Sequence, residues 1–190
     1  MRLRRFFSFR IYAVVIIAMF GLTSLPQGSS KNMTNDLTDP SIVIRKSERK
    51  LDVFDGKKLV SSFPIKLGFT PIGDKVSEGD GKTPEGDFYI FIKNTESRFH
   101  LSLGVSYPSI ADAKRGLAVG LIGKSEHDEI VKAIGEFGMP PQKTKLGGEI
   151  YIHGGGTERD WTGGCIALND DDMTRLFELI PKDTKVTILP

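Results

Sequence analysis

The sequence has one cysteine, Cys165, among its 190 residues. This excludes an intramolecular disulfide and a cysteine-rich metal site. The chain also has little excess charge, because 26 Lys and Arg residues nearly balance 24 Asp and Glu residues and leave a net charge of +2. So small an excess does not indicate a nucleic-acid partner, which would favour a strongly basic surface.

A hydrophobic run long enough to be an obvious membrane span is missing as well. The apolar run at residues 11–22 follows four arginines and precedes small and polar residues. It falls short of the roughly 20 residues that a spanning helix needs, and the order basic, apolar, polar is that of a secretory signal. We therefore expect residues 1–24 to be a signal peptide or an uncleaved N-terminal signal anchor. A buried first helix is the weaker alternative.

The arginines of this segment account for the positive net charge, because residues 31–190 hold 22 basic and 24 acidic residues. Residues 25–40 are polar, with Pro26 near one end and Pro40 at the other, and read as a linker. The sequence thus predicts an exported protein of the periplasm or cell envelope, anchored to the inner membrane if the signal is not cleaved. The membrane would be contacted only through the N-terminal segment.

The remainder, residues 41–190, reads as one domain that is mainly β with a few helices. Apolar runs at 50–54 and 59–67 flank Asp55-Gly56, which predicts a hairpin. Further strands are expected at 42–45, 88–92, 149–153 and 185–189. Two helices are expected at 126–137 and 170–180, from apolar residues at helical spacing. The strand spacing, without alternating long helices, argues against a doubly wound parallel sheet.

Residues 150–169 (IYIHGGGTERDWTGGCIALN) contain the candidate chemistry. His153 ends an apolar strand, and a glycine-rich loop then returns through Thr162-Gly163-Gly164 to Cys165. A thiol nucleophile needs a base or cation beside it and backbone N–H groups to hold an oxyanion. His153 could supply the base and the glycines the amides. An unpaired thiol in an exported protein is either inert or kept for its reactivity, and its neighbours favour reactivity.

These residues resemble the active-site segment of the L,D-transpeptidase family, the YkuD-type catalytic domain. The shared pattern is a His followed later by Ser/Thr-x-Gly-Cys and a hydrophobic residue. Residues 78–86 (EGDGKTPEG) resemble the family's Gly-Asp-x-x-Thr-Pro-x-Gly loop, and Tyr107-Pro108 with Asp112 resembles a further segment. The resemblance runs from about residue 41 to residue 189.

The resemblance implies a YkuD-like fold, described as a β-sandwich or mixed sheet, and a cysteine acyltransferase. Cys165 would attack a peptidoglycan stem peptide at the L-centre of meso-diaminopimelate, with His153 as base, oriented by a backbone carbonyl. The amides of Gly164 and Cys165 would form the oxyanion hole. Neither a cofactor nor a metal is implied. The other residues expected in the active-site loop are Gly154, Asp160, Trp161, Thr162 and Gly163.

Two positions depart from the family pattern. Gly163 stands where many members have His, and Ala167 stands where many have an Arg that positions substrate. We interpret both as subfamily differences that affect the choice of substrate and acceptor. The stretch 120–148 is longer than in compact members. The sequence leaves three interpretations of it open: a lid, a surface that binds a partner, or an ordinary surface insertion.

Several functions stay open from the sequence. The acyl acceptor could be a second stem peptide, giving a 3→3 cross-link, an envelope protein, or water, which would make the protein an L,D-carboxypeptidase. A zinc-dependent cell-wall peptidase using His153 and Asp160 as ligands is a competing interpretation. A non-catalytic peptidoglycan-binding module is another.

Overall fold

The computed structural model describes residues 37–190. The predicted signal segment, 1–24, and most of the predicted linker, 25–40, lie outside these residues. In the described part, eight strands form one mixed sheet accompanied by three helices, so the expectation of a mainly β fold with a few helices is confirmed. No helix of this part is long and apolar enough to cross a bilayer.

The elements follow one another along the chain with strands at both ends. The strands are β1 (Pro40–Arg45), β2 (Lys50–Asp55), β3 (Lys58–Pro64), β4 (Gly86–Ser97), β5 (His100–Val105), β6 (Tyr151–His153), β7 (Ile166–Ala167) and β8 (Lys185–Leu189). The helices are α1 (Ile110–Ala118), α2 (Lys124–Gly135) and α3 (Asp170–Leu179). The order in the sheet is β3-β2-β1-β8-β4-β5-β6-β7. The pairs β1–β8 and β6–β7 are parallel, and the others are antiparallel.

The predicted hairpin is present as β2 and β3, with Gly56 in the left-handed conformation, φ 57°, at its turn. Asp55 also fixes the residues before β1, because its carboxylate accepts the backbone N–H groups of Thr38 and Asp39 at 2.9 and 2.7 Å. Leu37 packs against the core. Residues 37–40 of the predicted linker thus contact the predicted domain.

The sheet is curled, and its two outer ends meet. Strand β4 is 12 residues long; its first part pairs with β8 and its second part with β5. Just after β3, Lys66 exchanges backbone hydrogen bonds of 2.9 and 2.8 Å with Ala167 of β7. The chain after β3 thus lies beside β7, and this contact brings the loops that precede β7 toward the rest of the fold.

The helices pack through apolar faces, as amphipathic helices do. Met173 and Leu176 of α3 join the main core beneath the sheet. The observed range of this helix ends one residue before the predicted range, 170–180. Helix α1 was not predicted, although Ser109 and Asp112 form a capping box at its start. With α2, which was predicted, it packs around a smaller apolar cluster that includes Ile130.

Candidate active site

The pairing of β6 with β7 brings His153 and Cys165 to one face of the sheet. Ile152 lies beside Ile166, and both side chains are buried in the core. Because side chains alternate between the two faces of a strand, His153 and Cys165, each one residue from these isoleucines, face the other way. There they line one cleft of about 510 Å³. The two residues singled out in the sequence are thus brought together, while their chemical roles stay predictions.

The His153 ring is held in one orientation. Its Nδ1 lies 2.6 Å from the carbonyl oxygen of Gly154. A carbonyl oxygen only accepts, so Nδ1 carries the hydrogen and Nε2 of the neutral ring has the free lone pair. Phe99 stacks on the ring with centroids 4.7 Å apart, and Trp161 meets it edge-on at 5.6 Å. Burial lowers the pKa of His153 below its ordinary 6.5, against the raising effect of the Gly154 hydrogen bond. The imidazole is therefore neutral at pH 7.

The Cys165 thiol is also neutral at rest. Its sulfur accepts the Tyr151 N–H at 3.4 Å, and the thiol donates to the Glu149 carbonyl oxygen at 3.3 Å. Burial raises the pKa of the thiol to about 11, so it is protonated at neutral pH. Glu149 has φ 54°, a left-handed conformation outside the extended range of regular strand backbone. Strand β6 accordingly begins at Tyr151, and the prediction of a strand from residue 149 was wrong at this end.

The turn before the thiol is fixed by the Thr162 hydroxyl. It donates to the Cys165 carbonyl oxygen at 2.7 Å and accepts the Gly164 N–H at 3.2 Å. The Gly164 N–H, expected to be an oxyanion donor, is therefore already bonded within the turn. The role of the Cys165 N–H as an oxyanion donor stays a prediction.

Close backbone packing explains why this turn needs glycine. Gly164 has φ 141°, and a Cβ there would lie 2.7 Å from the Lys82 carbonyl oxygen. A Cβ on Gly68 would lie 2.1 Å from the Gly81 carbonyl oxygen and 3.2 Å from Gly164 Cα. The Gly68 N–H also donates to the Thr83 hydroxyl at 3.1 Å. The loop at 78–86, which resembles a family motif, thus supports the turn that presents the thiol.

Asp160 anchors the loop that runs between the histidine and the cysteine. Its carboxylate accepts from the Arg49 guanidinium at 2.7 Å and from the Leu67 N–H at 2.9 Å. Since Arg49 occupies this carboxylate with a positive charge, Asp160 does not suit the zinc-ligand role considered with His153. Within residues 37–190, no three His, Cys, Asp or Glu side chains are grouped so as to hold a metal ion.

Trp161 and Gly154 complete the loop around the histidine. The Trp161 indole donates to the Gly156 carbonyl oxygen at 3.3 Å while its ring packs on Phe99. Gly154 is closely covered, because a Cβ there would lie 2.4 Å from Asp170 Oδ1. Both residues therefore shape the wall behind the imidazole.

The cleft also contains side chains that the sequence analysis did not find. Arg98 and Phe99 come from the turn between β4 and β5, and Tyr151 comes from β6. Ser102 is buried and lies opposite His153 in the β5–β6 register. Their nearness to the thiol depends on the sheet order β4-β5-β6, for which the sequence gives no local signal.

A second cavity, of about 370 Å³, adjoins the first at Glu149, which lines both. Gln142 and Lys143 of the 120–148 stretch line it, as does Gly163. A Cβ on Gly163 would meet nothing within 4 Å, so the departure from the family pattern leaves open space here. Ala167, the other departure, is completely buried and brings no charge to the cleft.

Comparison with known proteins identifies the family. The profile of the YkuD family, the L,D-transpeptidase catalytic domain, matches residues 39–188. This chain belongs to the L,D-transpeptidase catalytic domain family, whose members are acyltransferase-type enzymes that act on peptidoglycan stem peptides outside the cytoplasm. No curated protein sequence gives a significant match.

Two solved structures share the fold at low sequence identity. The helical cell shape determining protein Pgp2 from Campylobacter jejuni is 24% identical, with a TM-score of 0.56, and the match covers 80% of this chain and 48% of that one. Bd1075 from Bdellovibrio bacteriovorus is 19% identical, with a TM-score of 0.53 and the same coverage. The chain thus spans about half the length of both. The expectation of a YkuD-like mixed-sheet fold is confirmed.

Proposed function

We propose that this protein is a cysteine-dependent L,D-transpeptidase of peptidoglycan. One observation carries the proposal: the Cys165 thiol and the His153 imidazole, with its Nδ1 fixed by a carbonyl oxygen, line the same cleft. This arrangement supplies a nucleophile and a base whose Nε2 is free to take a proton. Membership in the family supports acyl transfer as the reaction.

The first step forms a thioester. The Cys165 sulfur attacks the carbonyl carbon at the L-centre of meso-diaminopimelate in a tetrapeptide stem, and its proton passes to Nε2 of His153. The C–N bond to the terminal D-Ala then breaks, and the same proton goes to the leaving amine. In the second step an amine attacks the thioester, gives up a proton through His153, and releases Cys165 as the thiol.

The electrostatics of the site favour coupled proton transfer. Burial raises the pKa of the thiol to about 11 and lowers that of the imidazole, so the neutral pair is the resting state. A thiolate–imidazolium pair would separate charge in a buried site, which is costly without compensating partners. The proton therefore moves when the substrate carbonyl is in place and the Cys165 N–H can hold the developing oxyanion.

The second cavity supports an amine as the acyl acceptor. It adjoins the thiol cleft at Glu149, whose carbonyl oxygen already contacts the thiol. A donor in one cavity and an acceptor in the other would both reach the sulfur. The acceptor is then a second stem peptide, which gives a 3→3 cross-link, or an envelope protein that becomes attached to the wall. Water as the acceptor would give an L,D-carboxypeptidase.

The substrate places the reaction outside the cytoplasm. We propose export to the periplasm or cell envelope through residues 1–24, acting as a cleaved signal or as an anchor in the inner membrane. Detecting the protein in periplasmic or membrane fractions, and determining its N-terminal residue, tests this assignment.

The experiment that tests the function follows the intact mass of the full protein mixed with a disaccharide-tetrapeptide. We expect an acyl-enzyme adduct, release of D-Ala and a 3→3 linked dimer. Cys165→Ala removes the adduct and the products, whereas His153→Gln keeps the fold and slows acylation by about 10²- to 10⁴-fold. A carbapenem should likewise add covalently to the wild-type protein and leave Cys165→Ala unmodified.

The outcomes separate the alternatives. Free tripeptide in place of the dimer would assign the protein as an L,D-carboxypeptidase. Stem binding without an adduct, equal in wild type and Cys165→Ala, would assign a binding module. Turnover that persists in Cys165→Ala and disappears with a chelator would overturn the proposal in favour of zinc chemistry.

A further inference from the structure

One side chain of the thiol cleft has a positive charge and no acidic partner among residues 37–190. Arg98 lies in the turn between β4 and β5 and is the one Arg or Lys among the residues that line this cleft, where the acids are Glu96 and Glu149. Its side chain is exposed. None of the ion pairs within residues 37–190 includes it.

The guanidinium nevertheless packs over the aromatic layer behind the imidazole. Arg98 Cζ lies 4.8 Å from the centroid of the Phe99 ring, and Phe99 stacks on His153 at 4.7 Å. A guanidinium over an aromatic face is attracted by the ring, and less side-chain freedom is lost when it binds a ligand. The stack therefore presents a positioned cation next to the proposed base.

A carboxylate is the ligand that suits such a group. The guanidinium offers several N–H donors in a planar fork that matches the two oxygens of a carboxylate. The proposed donor stem ends in a free carboxylate one residue after the bond that breaks. We propose that Arg98 binds this terminal carboxylate and so selects stems that end at that residue. This inference rests on the proposed function and adds a substrate-binding residue to it.

The consequence is a defined length for the acyl donor. A stem that continues past the leaving residue has an amide at this point and cannot form the ion pair. After the C–N bond breaks, the released amino acid keeps this carboxylate, and the acyl part of the stem stays on Cys165 without it. Arg98 therefore contributes to binding of the donor and of the first product, and it makes no such contact with the acyl-enzyme.

The test compares two donors that differ by one group: a tetrapeptide stem with a free terminal carboxylate, and the same stem with a terminal carboxamide. We expect amidation to lower kcat/KM of the wild type about 10- to 100-fold, the range for a hydrogen-bonded charge pair. Arg98→Ala should lower kcat/KM for the free acid by a similar factor and change little for the amide. Arg98→Lys should retain part of the preference.

Arg175→Ala is the matched control, because Arg175 is also an exposed arginine over an aromatic ring, 5.5 Å from Phe63, but lies on α3 outside the cleft. It should leave both values of kcat/KM unchanged. Thermal unfolding of Arg98→Ala should match the wild type, since the side chain is exposed.

The following outcomes would overturn the inference or the function on which it rests. If Arg98→Ala lowers kcat/KM equally for both donors, Arg98 acts through the effect of its charge on His153 and not by binding the carboxylate. A third donor, amidated instead at the D-centre carboxylate of diaminopimelate, would overturn the inference if it alone lost kcat/KM, because the ion pair would then be at that group. If the wild type forms no acyl-enzyme with either donor, the proposed function fails; if it turns over both donors equally well, only the role of Arg98 fails.

Discussion

The resting state of the thiol can be measured directly, because Cys165 is the single cysteine of the chain. A small aromatic disulfide such as 4,4′-dithiodipyridine reacts with thiolates and reports only on this residue. The perturbation is pH, varied between about 5 and 11 at constant ionic strength. A neutral thiol–imidazole pair and a thiolate–imidazolium pair give different profiles, because only the second contains thiolate at neutral pH.

The size of the effect follows from the pKa of the thiol. A pKa of about 11, against an ordinary 9.0, lowers the thiolate fraction at pH 7 from about 10⁻² to about 10⁻⁴. The more basic thiolate is intrinsically more nucleophilic, which recovers roughly 8-fold. Cys165 should thus react about ten times more slowly at pH 7 than an unperturbed thiol, and its rate should rise nearly ten-fold per pH unit up to pH 10.

Two controls complete the assay. The denatured protein supplies the unperturbed thiol, and His153→Gln removes the imidazole. If the resting pair is neutral, this variant keeps the wild-type titration profile although its acylation is much slower. A rate plateau between pH 5 and 8 in the wild type, abolished in His153→Gln, would refute the neutral pair and with it the coupled proton transfer.

Two further predictions concern the turn and the aromatic layer. Gly164→Ala should lower the free energy of unfolding by about 2 kcal/mol, because of its backbone conformation and close contacts, and should lower Tm by about 4–8 °C. Gly163→Ala should match the wild type. Equal losses of stability in the two variants would contradict the argument that close packing requires glycine at position 164. Phe99→Ala should admit water to His153 and raise the pKa of its imidazole toward 6.5, so the acid limb of the pH profile of kcat/KM moves to higher pH. Phe137→Ala, at an exposed ring, should leave that limb in place.

The parts of the fold that depend on local signals could be predicted from the sequence. Asp55-Gly56 marks the β2–β3 turn, and the apolar spacing in α3 marks its buried face. His153 and Cys165 could be paired because a strand end fixes one and a short loop returns the other beside it. These inferences need only neighbouring residues and the geometry of strands, helices and turns.

The rest of the site depends on contacts between distant segments. Arg98 and Ser102 reach the cleft through the order and register of β4, β5 and β6, which no pattern within 98–102 specifies. The conformation of Glu149 was missed because an ordinary residue at φ 54° has no signature in the sequence. The capping box at Ser109 and Asp112 is a local signal from which the start of α1 can be predicted.

The position of β8 has a consequence for how the protein folds. This strand, Lys185–Leu189, lies between β1 and β4 in the middle of the sheet, yet it is synthesised after every other strand. Until it pairs, the sheet lacks the strand that joins β1 to β4, and the contact of Lys66 with Ala167 is the backbone pairing that links the two outer ends. Such long-range pairing also slows folding. Completion of the sheet by β8 is therefore expected to be a late and slow step of folding.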